Sequence, residues 1–127
     1  VEYSTVADYL QLADVFITAS MSEVHPLSII EGMAVGLPTI GIQSPGVGDI
    51  IQNGVNGMLS SNDLAAFTAC IVRVMMDDTL RERMGASARE KSSDYDIRKT
   101  TAQLLLHYQK IISNKAEIPE IRKPAAR

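Results

Sequence analysis

The sequence predicts an α/β protein built around a parallel βαβ unit. Val15 to Ala19 and Pro38 to Ile42 are apolar runs of strand length. Between them, Pro26 to about Val35 has helical spacing, so the order is strand, crossover helix, strand. The composition agrees: 46% hydrophobic residues, no Trp and few aromatics over 127 residues suit an α/β or α-rich domain large enough for a real core. In open parallel sheets ligands sit beyond the carboxyl ends of the strands, near helix N-termini. The polar loop Ser20 to His25, which holds Glu23 and His25, is therefore where a ligand is expected.

Each element has a local reason. Thr5 is placed to cap a short first helix, with Val6, Tyr9, Leu10 and Ala13 on one face. Pro26 suits the first position of the crossover helix, where no N–H is needed. Gly36 ends that helix and Pro38 opens the next strand. Ser44-Pro45-Gly46-Val47-Gly48 reads as a turn-rich loop and Asp49 to Asn53 as a short helix stopped by Gly54. Asn56-Gly57 signals a tight turn before a brief strand, Met58 to Ser60. Ser61 or Asn62 caps a helix to about Met76, with Leu64, Phe67, Ile71, Val74 and Met75 as its buried stripe. Thr79 and Glu82 form a capping box for a helix to about Ser92, with Leu80, Met84 and Ala88 inward. A last amphipathic helix runs from Asp96 to Ser113, and residues 115–127, with two prolines and mixed charge, read as a flexible tail.

Glu31 demands an explanation. It is the only formally charged side chain between Val24 and Gly48. At about 100° per residue it falls at the edge of an apolar arc that includes Leu27, Ile30, Ala34 and Val35. Positions 27, 28, 34 and 35 hold no Lys or Arg to neutralise it. A carboxylate so placed needs hydrogen-bond donors if it is buried. Sugar hydroxyls, a buried backbone amide or solvent at the helix edge would each serve.

Charge narrows the function. Residues 1–72 hold Glu2, Asp8, Asp14, Glu23, Glu31, Asp49 and Asp63, whereas all 12 Lys and Arg lie from Arg73 onward. The half with the motifs has no basic patch, which argues against nucleic-acid binding. A nucleoside diphosphate also needs counter-charge. Helix N-termini supply part of it, and the rest must come from the C-terminal half or from sequence outside this chain. The single cysteine, Cys70, excludes an internal disulfide, fits a reducing compartment and reads as a small buried hydrophobe. No signal peptide, membrane-length apolar run, metal-ligand cluster, nucleophilic triad or Walker-type loop is visible in the sequence. His107 receives no functional role.

S-E-V-H-P-L-S-I-I-E-G-M-A-V-G-L-P-T-I, preceded by A-D-V-F-I-T-A-S and followed by P-G-V-G-D-I-I-Q-N-G-V-N-G, resembles the donor-site signature of the retaining family-four glycosyltransferases, which have the GT-B fold. The resemblance implies part of a Rossmann-like parallel sheet, the C-terminal donor-binding domain of a GT-B enzyme, with a helical C-terminal segment. On this reading residues 1–114 are the second half of that domain. Its basic diphosphate clamp and the whole N-terminal GT-B domain are missing, so the isolated chain is expected to be incomplete for catalysis. The implied reaction moves a sugar from a UDP- or GDP-type donor to a saccharide or lipid acceptor, with retention and without metal or cofactor.

The same resemblance distributes the roles. Glu31 accepts hydrogen bonds from the ribose hydroxyls of the donor, and Glu23 is the catalytic-site carboxylate that orients the transferred sugar. Leu27 and Ser28 offer backbone N–H groups to the diphosphate, His25 a polar contact, and Gly46 a backbone contact. The chain departs from the pattern in two places. Val24, His25 and Pro26 stand where Gly-aromatic-Gly is usual, so one backbone N–H is lost at Pro26. Pro45 and Asp49 replace a Gly and a Glu of the next loop, and Asp49 reads more safely as a helix cap. The implied setting is cytoplasmic, with peripheral attachment to the inner membrane face compatible with a lipid acceptor. The apolar stripe of the last helix would pack on the absent domain or form a homodimer. Two other readings compete: a GT-B nucleotide-sugar epimerase or phosphorylase-like enzyme, and a non-catalytic interaction domain derived from one.

Overall fold

The computed structural model describes residues 2–115; the tail expected over 115–127 lies, from residue 116 on, outside the described residues. The chain divides into two units, one ending at Tyr95 and the other beginning at Asp96.

The first unit is the expected α/β body. A 3-10 turn, Tyr3–Thr5, leads into α1 (Val6–Leu10); then come β1 (Phe16–Thr18), α2 (Leu27–Ala34), β2 (Thr39–Ile42), α3 (Val47–Ile50), β3 (Gly57–Ser60), α4 (Leu64–Met75), α5 (Asp78–Ser92) and a 3-10 turn, Ser93–Tyr95. The strands form a parallel sheet in the order β1-β2-β3, with Phe16 opposite Thr39 and Ile40 opposite Met58. β2 is central and buried along its whole length, which is why T-I-G-I lacks polar alternation.

Side chains alternate across the pleat and feed two cores. On one face Phe16 and Leu59 pack with Ile29 and Met33 of α2, Val47 and Ile50 of α3, Ile51 and Ala88. On the other, Ile40 and Met58 meet Val74 of α4 and Leu80 and Met84 of α5. Small residues set the spacing. A Cβ on Gly32 of α2 would lie 3.1 Å from the Phe16 ring, and one on Gly41 of β2 would lie 2.7 Å from Val47. The small-residue character of the crossover helix is thus a packing requirement.

Helix α2 ends as expected. Gly36 has φ 91°, and the Gly36 and Leu37 N–H groups donate to the carbonyls of Met33 and Gly32, a Schellman closure. Other details correct the sequence reading. Pro26 is the residue before α2, with ψ 93°; its carbonyl accepts the Ile29 N–H at 3.1 Å, so the helix starts one residue later. The Thr5 hydroxyl donates back to the Glu2 carbonyl and does not cap α1, and Tyr9 is exposed. The short helix after β2 begins at Val47 rather than Asp49. Asp49 closes its first turn by accepting the Gly46 N–H at 3.3 Å.

The caps of α4 and α5 are Asp63 and Asp77, accepting from Ala66 and Leu80, in place of Ser61 or Asn62 and of Thr79. The inward stripe of α4 is Phe67, Cys70, Ile71 and Val74, whereas Leu64 and Met75 at its two ends are exposed. Cys70 is a partly buried core residue, as expected. The second unit is α6 (Ile97–Lys115), whose first turn Asp96 caps by accepting the Arg98 N–H at 2.8 Å.

Candidate functional site

Two loops and one helix end meet at the carboxyl edge of the sheet. The loop after β1 carries Glu23, half-buried, and the Ser20 hydroxyl donates to its Oε1 at 2.7 Å. One carboxylate oxygen is thereby fixed. Ser20 is tied in turn to the loop after β2, because its carbonyl accepts the Ser44 hydroxyl at 3.3 Å.

Gly46 completes the junction. Its φ of 79° and ψ of −51° lie in a region closed to side chains, and a Cβ there would collide with the Glu23 carbonyl oxygen. Glycine lets the second loop lie directly against the first. Glu23 and Gly46, singled out separately in the sequence, are thus neighbours.

Leu27 and Ser28 form the first turn of α2, next to the same loop, and both are exposed. First-turn N–H groups have no acceptor inside the helix, and together with the helix dipole they favour an anion. His25 is exposed, with its ring centroid 5.7 Å from that of Tyr95 and tilted by 57°.

Glu31 lies one turn further along α2 and is half-buried. Its partner is a hydroxyl, though not a sugar's: the Tyr3 phenol donates to Glu31 Oε1 at 2.8 Å. The pair borders a cavity of about 190 Å³ whose walls include Val6, Ala7, Leu10, Ala34 and Val35. The hydrogen bond to Glu31, and then its negative charge, raise the Tyr3 pKa above the usual phenol range. The protonated phenol is the form the fold favours. Its contribution is present below the ordinary value near 10 and fades as pH rises through the higher folded value.

Sequence reasoning missed three members of this neighbourhood. Ser20 was within reach of the sequence, since it stands only three residues from Glu23 in the same loop. Ser44 and Tyr3 were not, because they reach partners 24 and 28 residues away.

The cations lie elsewhere. Arg89 donates to the Val35 carbonyl at 2.8 Å, and Arg81 pairs with Asp78 at 2.6 Å. Both line the largest of the described cavities, about 800 Å³, together with Asp14 and Pro38. Asp14 and Pro38 precede β1 and β2, so this hollow is at the amino edge of the sheet, away from Glu23. The first 72 residues have no Lys or Arg, and Arg81 and Arg89 do not supply counter-charge at the carboxyl edge. Among the described residues no cluster of three His, Cys, Asp or Glu could hold a metal ion, and no helix is long and apolar enough to cross a membrane.

Comparison with known proteins agrees with this architecture. Residues 1–91 match the family described as glycosyl transferases group 1, and the chain belongs to that family. It is 34% identical over 95 residues to sulfoquinovosyl transferase SQD2 of Arabidopsis thaliana, covering 72% of this chain and 19% of that protein. It is 33% identical over 107 residues to a GDP-mannose-dependent alpha-mannosyltransferase of Corynebacterium glutamicum, covering 84% of this chain and 26% of the relative. The crystal structure of Anabaena HepE in complex with UDP and glucose superposes with a TM-score of 0.70 at 21% identity, over 80% of this chain and 29% of that one. The fold is that of the GT-B glycosyltransferases. The chain spans about a fifth of the length of the first of these relatives and about a quarter of the second.

Proposed function

We propose that residues 1–114 are the donor-binding part of a glycosyltransferase that moves a sugar from a UDP- or GDP-type nucleotide sugar to a saccharide or lipid acceptor, with retention. The observation that carries this reading is the junction at Gly46. It sets Glu23 against the loop after β2, beside the N-terminal turn of the helix that bears Glu31. Named relatives support a nucleotide-sugar donor: one is GDP-mannose-dependent and another was crystallised with UDP and glucose.

In this reading Glu31 accepts the two ribose hydroxyls. The Leu27 and Ser28 N–H groups take the diphosphate, with His25 and Gly46 at its border. Glu23, steadied by Ser20, orients the transferred sugar, and orientation is a source of rate. The Arg and Lys that complete the diphosphate clamp, and the acceptor domain, belong to sequence outside this chain. No metal or organic cofactor takes part, and the setting is the cytoplasm or the inner membrane face.

The test is titration of UDP and GDP into the 127-residue chain, followed by backbone amide shifts and calorimetry. Shifts should centre on Leu27, Ser28 and Glu31. Glu31→Gln should weaken binding about tenfold or more, since charge-assisted hydrogen bonds contribute about 1.5–3 kcal/mol each. Undiminished affinity in E31Q, or shifts centred on Arg81 and Arg89, would overturn the assignment.

A further inference from the structure

Tyr3 has no part in the roles above, yet it makes the long-range contact to the residue those roles depend on. Tyr3 is 79% exposed, so burial does little to hold it. Its backbone turn, by contrast, is tied twice, because the Glu2 carbonyl accepts both the Thr5 N–H at 3.0 Å and the Thr5 hydroxyl at 2.8 Å. That turn presents the phenol to Glu31 Oε1 at 2.8 Å.

We infer that Tyr3 is a positioning residue of the nucleoside site: its hydroxyl holds the Glu31 carboxylate in the orientation that accepts a vicinal diol, and it stays in place when the nucleotide binds. The inference rests on the ribose role of Glu31 proposed above.

Lone-pair count supports retention over displacement. An ionised carboxylate offers about four acceptor sites on two oxygens. Tyr3 occupies one of them on Oε1, leaving Oε2 and the second site of Oε1 for two hydroxyls. Pre-organisation supplies the benefit. A glutamate side chain loses considerable rotamer freedom when fixed by a ligand, and fixing it beforehand lowers that cost of binding. The surroundings fit as well. The adjoining cavity, about 190 Å³, is smaller than the roughly 300–1,000 Å³ of a complete ligand pocket. It suits one portion of a nucleotide held at a polar rim, and that rim is Tyr3 and Glu31.

The experiment compares UDP and GDP binding by the unsubstituted 127-residue chain, Tyr3→Phe, Glu31→Gln and the double variant, each checked by thermal unfolding. Tyr3→Phe should stay folded, with at most a small loss of stability, and weaken binding about three- to tenfold, the range of one net hydrogen bond. The double variant should bind like E31Q alone, because Tyr3 acts only through Glu31. Independently of nucleotide, the ¹³Cζ resonance of Tyr3 should titrate above the ordinary phenol range in the parent chain and return to it in E31Q.

Unchanged or tighter binding in Y3F, with weakened binding in E31Q, would overturn the role of Tyr3 and leave that of Glu31 intact. Additive losses in the double variant would also overturn positioning, since Tyr3 would then touch the ligand on its own account. Unchanged binding in E31Q, or no nucleotide binding by the parent chain, would overturn both readings together.

Discussion

The two edges of the small parallel sheet are built to different plans. At the amino edge a hollow of about 800 Å³ opens between Asp14, Pro38, Arg81 and Arg89. Its arginines are committed, one to the last turn of α2 and one to Asp78 and the end of α4. At the carboxyl edge neither of these arginines takes part. Instead two loops are pressed together so closely that one of them must be glycine, and a carboxylate is steadied by a neighbouring hydroxyl. Close packing marks both edges, since Gly36 at the amino edge has φ 91° and a Cβ on Gly85 would collide with the Gly36 carbonyl oxygen; what the carboxyl edge adds is a carboxylate-bearing loop, at Glu23, held against a second loop. Positive-φ backbone and close approach are structurally costly and persist where the surroundings over-determine them. A carboxylate held inside such a close approach is therefore the better guide to the site in this molecule than volume.

The sharpest way to break that contrast is at two glycines of almost equal φ. Gly46 has φ 79° and Gly54 has φ 80°. A Cβ at Gly54 meets no described atom within 4 Å, whereas one at Gly46 runs into the Glu23 backbone. Gly54→Ala should cost about 1 kcal/mol, the conformational penalty alone. Gly46→Ala should cost about 2–4 kcal/mol, because the Glu23 loop must also move. Urea unfolding of the two variants measures the difference. Equal losses would mean that the loops at the carboxyl edge are not pressed together in solution.

Much of the fold was legible because apolar runs and glycine–proline punctuation agree. Gly36 and Pro38 bracket the turn between α2 and β2, and both boundaries fell within a residue or two. The caps were less legible for a local reason. Ser61, Asn62 and Asp63 are all good caps, as are Asp77 and Thr79, and which one is used depends on how the chain leaves β3 in the first case and α4 in the second. The individual site residues stood out by type: Glu23, Glu31 and Gly46 were each visible. What joins them was not visible. The Gly46 contact with Glu23 spans 23 positions and the Tyr3 bond to Glu31 spans 28, and no local periodicity encodes either.

The amino edge predicts a smaller effect of a different kind. Arg89 places a cation on the Val35 carbonyl at the C-terminal end of α2, where the helix dipole favours it. Arg89→Ala should lower stability by about 0.5–1.5 kcal/mol and leave nucleotide affinity unchanged. A loss of affinity as large as that of E31Q would make the amino edge part of the site and dissolve the distinction between the two edges.

Effects of similar size but opposite sign come from two buried hydroxyls at opposite ends of the same central segment. Thr39 opens β2, is 0% exposed, and its Oγ1 has no hydrogen-bond partner among the described residues. Ser44, just past β2, donates to the Ser20 and Ile42 carbonyls, both at 3.3 Å. A buried polar group left unmatched costs free energy, and replacing it with an apolar group of the same shape removes that cost. Thr39→Val keeps the β-branched shape suited to a strand and should stabilise the chain by about 1 kcal/mol. Ser44→Ala should destabilise it by a similar amount, because the link between the two loops is lost. Denaturant midpoints for the pair should therefore move in opposite directions. If both fell, the hydroxyl at the amino edge would be serving the structure as the one at the carboxyl edge does.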